Sequence, residues 1–362
     1  MKLVFLKLSL LFLISIMPAA FYNYLFDPFG IFNDTSLTLG YEPGYEPNQH
    51  YAKMRHLIND NQPWDSYLFG SSRVGKIDPG LISGGTYYNM NYSEGVPREH
   101  LADIKILLEK GLPVKNVMIG IDNSSYSINP KDHDSQIMRH GYDASFLKRI
   151  LFQIKYLCSA PRFGIMKYIR QTMDDSIIVF DILGNGMQRL ERVDDNIERN
   201  IDDHVSSPRF QSLGRVPFDE ISEEYHMQLM EDTLRDISEI ARLSREKGFN
   251  LYVFINPIHK LYYMQHNPEL FLVFKEKLAG IVDYWDFSGF NSVTTNNYYY
   301  YETSHYRRLT GSMITCRITD CTRVTVPPDF GVFITAENVS WYIAKQKKEL
   351  RSYEKVAGHN VQ

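Results

Sequence analysis

The chain has 362 residues, 39 Lys and Arg against 43 Asp and Glu, and a formal net charge of −4. That balance excludes the concentrated basic footprint of a non-specific nucleic-acid binder. Ordinary counts of Gly (22) and Pro (16) exclude collagen-like and wholly disordered chains, and 44% hydrophobic residues suffice for one large domain or two ordinary ones. Tyrosine is abundant, 25 against 3 Trp.

Residues 3–22 are almost continuously apolar, with Lys7 the one charge inside the run. A helix of that length spans about 30 Å, the hydrocarbon core of a bilayer. Lys2 and Lys7 are the only early cations, whereas Asp27, Asp34, Glu42 and Glu46 follow on the far side. The positive-inside rule then keeps the N-terminus cytoplasmic and exports everything past about residue 26. A cleaved signal peptide is the competing reading, although Pro18-Ala19-Ala20 is followed by bulky Phe21 and Tyr22. The expected organisation is an anchor over 1–26, a linker over 27–58, one α/β domain over 59–345 and a tail over 346–362. Within the linker, the Pro/Gly/Tyr-rich stretch 41–47 reads as turns.

Strand and helix signals alternate after the linker. Short apolar strands are expected at 66–69 and 87–90, a helix at 100–110 stopped by Gly111, and a buried strand at 114–121. Met227, Met230, Leu234, Ile237, Ile240 and Leu243 form a helical stripe ended by Gly248, before strands at 251–255 and 281–285. Continuous apolar strands separated by helices predict a mainly parallel sheet covered on both faces, a three-layer α/β/α sandwich. Residues 129–225 break the pattern and read as a helical insertion over one end of the sheet. Three cysteines make no disulfide framework, and Cys316, in a predicted helix, reads as a buried thiol although Cys321 is close enough for a bridge.

Functional groups of open parallel sheets gather at the carboxyl ends of strands. Three polar clusters fall there: Gly70-Ser71-Ser72-Arg73, Gly120-Ile121-Asp122-Asn123-Ser124-Ser125, and Glu302-Thr303-Ser304-His305-Tyr306. A serine needs a base within hydrogen-bond reach, itself oriented by a carboxylate. Ser72, His305 and Glu302 supply those three roles in a plausible chain order, with Asp286 a reserve acid. Arg73 is read as a structural partner of Asp122 or a contact for a substrate anion. His259 and Tyr301 are further substrate-contact candidates, weighed against a local hydrogen bond and an aromatic edge strand. Asp132-His133-Asp134 with His140 reads as a solvated loop, and neither a metal nor a cofactor is called for.

These residues resemble the SGNH/GDSL hydrolase superfamily. The closer likeness is to its membrane-anchored, exported branch, related to bacterial alginate O-acetyltransferase-like proteins and to the anchored protein of teichoic-acid D-alanylation. Gly70-Ser71-Ser72-Arg73 matches the first block, with Ser72 where the nucleophile stands; the 89–95 stretch resembles the second, whose glycine, here Gly95, donates its amide to the oxyanion. Gly120-Ile121-Asp122-Asn123 resembles the third block and Glu302-Thr303-Ser304-His305 the fifth. The likeness covers about residues 60–125 and 245–320. Two positions depart from the pattern: Glu302 stands where Asp is usual, and Asp122 where an Asn usually donates to the oxyanion. An ionised carboxylate cannot donate, so the expected oxyanion hole is the Ser72 and Gly95 amides with the neighbouring Asn123.

The resemblance implies an SGNH/flavodoxin-like sheet and a serine-dependent acyl-ester enzyme, an O-acetyltransferase or esterase acting on an envelope polysaccharide. The alternative is a catalytically inactive binding or assembly partner of a multi-pass membrane acyltransferase.

Overall fold

A computed structural model of the chain describes residues 2–34, 46–60, 62–132, 136–160, 179–210 and 223–359, excepting the side chains at 2, 3, 5, 6, 8–15 and 356–359. The principal helices are α1 (Lys2–Phe26), α2 (Gln49–Asn59), α3 (Pro97–Glu109), α4 (Phe146–Leu157), α5 (Glu191–Arg199), α6 (Glu223–Lys247), α7 (Pro268–Ala279), α8 (Arg308–Thr319) and α9 (Val339–His359). The strands that matter here are β1 (Ser66–Gly70), β2 (Tyr87–Asn89), β3 (Asn116–Ile121), β4 (Asn250–Ile255), β5 (Tyr284–Asp286), β6 (Tyr300–Glu302), β7 (His305–Tyr306) and β8 (Val332–Ile334). The chain divides into two compact units, Met1–Asn61 with His133–Gly184, and Gln62–Asp132 with Asn185–Gln362.

The second unit is α/β. Its six-stranded sheet has the order β2-β1-β3-β4-β5-β8, parallel throughout except for β8, which runs antiparallel to β5. Every residue of β1 and β3 is buried, as in strands covered on both faces, and after the polar Ser66 and Asn116 this explains their apolar sequence. Gly70 pairs with Gly120, and Ile255 with both Ile121 and Asp286, so the carboxyl ends of β1, β3, β4 and β5 lie level. The stripe of α6 buries Met230, Leu234, Ile237 and Ile240 and packs against α3. The strand expected from 281 begins only at Tyr284. Residues 281 and 282 instead close the end of α7, their amides donating to the Leu278 carbonyl at 2.9 and 3.0 Å.

Cys316 is corrected from a buried thiol to a disulfide with Cys321. The helix α8 ends at Thr319, and Asp320 adopts a left-handed conformation (φ 52°) that folds the chain back towards Cys316. Residues 346–355, expected as a tail, continue α9, where Gln346 donates to Tyr342 and accepts from Lys275.

The described part of the first unit is mainly helical, with one short strand at Val179–Phe180. Asp27 (φ 39°) ends α1, and its carboxylate accepts the amides of Ile31, Phe32 and Asn33 at 2.7–2.9 Å. The stretch read as a linker therefore begins as an ordered turn and goes on to contain α2, capped by Asn48, whose amide group also donates to the carbonyls of Ile137 and His140. Phe29, Ile31, Tyr51, Phe152 and Tyr156 form this unit's core. The stretch expected as one insertion is thus divided: 133–184 belongs to this unit, and 129–132 and 185–225 to the α/β unit. The turn-rich segment 41–45 and residues 133–135 lie outside the described residues. Among the described residues no helix is long and apolar enough to cross a membrane; most of the apolar run of α1 falls on side chains outside them.

Candidate active site

The order 2-1-3-4-5 reverses direction between β1 and β3, and in doubly wound sheets the crevice outside the strand ends at that reversal is where ligands bind. Ser71, Ser72 and Arg73 leave β1 there, and Asp122, Asn123 and Ser124 leave β3 beside them. Gly70 (φ 152°) makes the turn possible: a Cβ at this residue would stand 2.8 Å from the Gly120 carbonyl oxygen and overlap Val74. The chain then enters a short 3-10 turn, Val74–Lys76, which the Asn89 amide holds by donating to the Val74 and Ile77 carbonyls at 2.9 and 3.1 Å.

His305 comes from the β6–β7 hairpin, in which Glu302 and His305 are cross-strand partners. The Ser72 Oγ lies 2.8 Å from His305 Nε2. On the other side of the ring, Nδ1 donates to Glu302 Oε1. That bond fixes the tautomer, so Nε2 carries the lone pair that accepts the serine proton. The second Glu302 oxygen accepts the Ser304 amide at 2.7 Å, and the Ser304 hydroxyl also reaches the carboxylate at 3.2 Å. The longer Glu side chain folds back within its own turn. Burial and the nearby Lys76 ammonium hold the His305 imidazole below its ordinary pKa, although Glu302 pulls the other way. Burial raises the Glu302 carboxyl, but the hydrogen bonds from His305 and Ser304 outweigh it and leave a carboxylate. The pair therefore sits as neutral imidazole and carboxylate near neutral pH, with the His305 and Glu302 side chains 31% and 39% exposed, so that a substrate can reach them.

Asp122 does a different job. It is fully buried, and its carboxylate accepts from Ser71 Oγ at 2.7 Å, the Ser124 amide at 2.9 Å and Asn256 Nδ2 at 3.3 Å, and pairs with Arg73 at 3.1 Å. The guanidinium of Arg73 also donates to the Ser304 carbonyl at 2.8 Å and Ser124 Oγ at 3.1 Å, and it lies over the Tyr262 ring. Tyr306 closes the circuit by donating to Asn256 Oδ1 at 3.0 Å. The Asp122–Arg73 pair thus ties the Ser72 turn to the His305 hairpin, which is the structural role among the two expected of Arg73.

The other candidates are placed as follows. Gly95 lies against the nucleophile turn, since a Cβ there would stand 2.7 Å from the Gly70 carbonyl oxygen, but its amide donates to Tyr92 at 3.2 Å. The Asn123 side chain is buried, and neither its nitrogen nor its oxygen has a hydrogen-bond partner among the described residues. His259 is buried with both ring nitrogens engaged: Nδ1 accepts the Leu261 amide and Nε2 meets Asn297 Oδ1 at 3.0 Å. The Tyr301 hydroxyl donates to Asp194 on α5 at 2.9 Å, and Arg307 braces the same helix through Asp194 and Glu198. Asp286 is spent on Lys275, at 2.8 Å in the core. His140 stacks on Phe152 in the first unit, and no cluster fit to hold a metal ion occurs among the described residues.

One contributor escaped the sequence reading. Lys76, 6% exposed, donates from Nζ to the Ser72 carbonyl at 2.8 Å and to Gln188 Oε1 at 2.5 Å. Its only sequence signal is a cation one helical turn past Ser72. A scan against family models finds no match for this chain, and a search of curated proteins finds none either.

Proposed function

We propose that this chain is a serine-dependent acyl-ester enzyme of SGNH type, an O-acetyltransferase or esterase working on an envelope polysaccharide through an acyl-serine intermediate. The observation that carries the proposal is the alignment of Ser72 Oγ, 2.8 Å from His305 Nε2, with His305 Nδ1 bonded to Glu302. Ser72 Oγ attacks the acyl carbonyl carbon while its proton passes to His305 Nε2. Glu302 stabilises the imidazolium, and collapse of the tetrahedral intermediate expels the alkoxide, which takes the proton from His305. Water or a sugar hydroxyl then attacks the acyl-serine; His305 accepts its proton and returns it to Ser72. The Ser72 amide and the Asn123 carboxamide are the proposed oxyanion donors, which would give the orphaned carboxamide a partner in the transition state.

The apolar run of α1 supports an anchor that holds the α/β unit, a three-layer sandwich of SGNH/flavodoxin-like type, on the exported side of the cytoplasmic membrane. The Cys316–Cys321 disulfide fits an oxidising compartment. Retention of the full chain through high-salt and carbonate washes tests the anchor; recovery of a shortened soluble form refutes it.

A second reading keeps the fold as a binding or assembly partner of a multi-pass acyltransferase. Asp122 favours it, because this carboxylate occupies the usual Asn position and donates nothing. A chromogenic acetyl ester and a serine-reactive phosphonate separate the readings. The enzyme turns over the ester and is labelled at Ser72, and Ser72→Ala loses both; absence of label on the wild-type chain selects the binding reading.

A further inference from the structure

Large exposed hydrophobic side chains concentrate in the helical unit rather than around the site. Helix α4 shows Phe146, Leu147, Leu151 and Ile154 at 52–71% exposure, and the last three recur at the i, i+4, i+7 spacing of one helical face. The opposite face is also apolar and buries Phe152 and Tyr156 in the unit's core. A helix that is apolar on two faces, one of them bare, is built for a second apolar environment.

The neighbourhood says which one. Asn23, in the last turns of α1, donates to the carbonyls of Tyr156, Leu157 and Ser159 at 3.0–3.2 Å, and the Tyr156 hydroxyl donates back to the Asn23 carbonyl. The end of α4 is thereby fixed against the end of α1, where Phe21 and Leu25 are also exposed. Residue 23 immediately follows the twenty-residue apolar run, so α4 meets α1 at the level where a bilayer's headgroups would begin. The charges within α4 are Lys148, Arg149 and Lys155, with no acid among them; Asp143, just upstream, lies 3.5 Å from Lys148. A bare apolar face flanked by long cationic side chains is the pattern of a helix lying in a membrane interface, its stems along the acyl boundary and its charges at anionic headgroups.

We propose that α4 is an interfacial helix seated in the outer surface of the bilayer that α1 enters, its occupant being anionic lipid. The proposal rests on the anchor reading above, and the experiment separates their failures. The full chain, as Cys158→Ser/Leu151→Cys labelled with an environment-sensitive fluorophore, is reconstituted into phosphatidylcholine–phosphatidylglycerol vesicles, with Glu246→Cys on exposed α6 as the control site. The expected result is a blue-shifted Leu151→Cys label that loses intensity to lipids brominated near the glycerol end of the chains, in protein that resists carbonate. Leu147→Gln/Ile154→Gln beside the label is expected to reduce that quenching. A water-like label in carbonate-resistant protein overturns the inference and leaves the anchor standing. A quenched label in carbonate-extractable protein supports the interfacial helix and refutes the anchor. A blue shift without quenching by brominated lipid means that protein, a second copy or a partner, covers the face, and this overturns the proposal.

Discussion

Two carboxylates stand at the strand ends of this protein, and they are treated in opposite ways. Asp122 is sealed: it has no exposed surface and its oxygens are saturated by Ser71, Arg73, Ser124 and Asn256. Glu302 is 39% exposed and directs one oxygen to the imidazole that faces Ser72. A buried, saturated acid has no capacity left for chemistry and serves to fix its neighbours. A half-exposed acid that acts through a histidine keeps the flexibility that proton transfer requires. The two acids are nevertheless linked: the Asp122 charge is neutralised by Arg73, which also holds the Ser304 carbonyl next to His305.

The sharpest test of this contrast is Glu302→Gln against Asp122→Asn. Losing the carboxylate that orients a catalytic histidine costs about 10³–10⁴ in kcat, so Glu302→Gln is expected to lose ester turnover on that scale while unfolding normally in denaturant. Asp122→Asn leaves the Arg73 guanidinium buried without its counter-charge, and breaking such a pair costs about 3–5 kcal/mol. Its expected signature is a lower denaturation midpoint, whereas breaking the exposed, solvent-screened Arg242–Glu246 pair by Glu246→Ala is expected to leave the midpoint unchanged. If Asp122→Asn unfolds like the wild type yet abolishes turnover, the division between scaffold and site is wrong.

Much of this arrangement was legible in the sequence, for reasons that differ by residue. The strands β1 and β3 announce themselves because a strand covered on both faces reads as a near-continuous apolar run, and β4 does so through its buried second half, Val253, Phe254 and Ile255. Ser72, Glu302 and His305 were singled out because a serine nucleophile needs a base and an orienting acid and because their stretches resemble known sequence blocks; the structure brings the three side chains within hydrogen-bond reach. The Cys316–Cys321 bridge was missed because it depends on where α8 stops, and the left-handed Asp320 that stops it has no strong signal in a single sequence. The contact of Asp122 with Asn256 was invisible because the level strand ends bring them together, and those of Lys76 with Gln188 and Tyr306 with Asn256 because the partners lie 112 and 50 residues apart. The division of residues 129–225 between two units was equally hidden, since the ties of Asn48 to Ile137 and His140 span about ninety residues.

Asn123 probes a smaller effect. A buried carboxamide with no partner is a cost unless something else uses it. If it donates to the oxyanion, Asn123→Ala lowers kcat by about 10²–10³ with KM little changed, and folding stability holds or rises as the unsatisfied group is removed. A fall in stability with unchanged kcat would assign Asn123 to the scaffold beside Asp122.

The smallest effect is read in pH rather than in rate. The base must be neutral to accept the Ser72 proton, so activity is lost as pH falls through the His305 pKa. Burial and Lys76 hold that pKa below the ordinary 6.5 of histidine, and Glu302 raises it. The acid limb of kcat/KM in the wild type is therefore expected below pH 6.5. Removing the cation with Lys76→Met lifts one of the lowering contributions and moves the limb up, whereas Lys76→Arg keeps the charge and leaves it near the wild-type position. Glu302→Gln removes the raising contribution and moves the residual limb further down. Opposite displacements by two substitutions on either side of one ring are what a titrating His305 requires. A limb that stays put in Lys76→Met would mean that Lys76 holds the Ser72 carbonyl and nothing more.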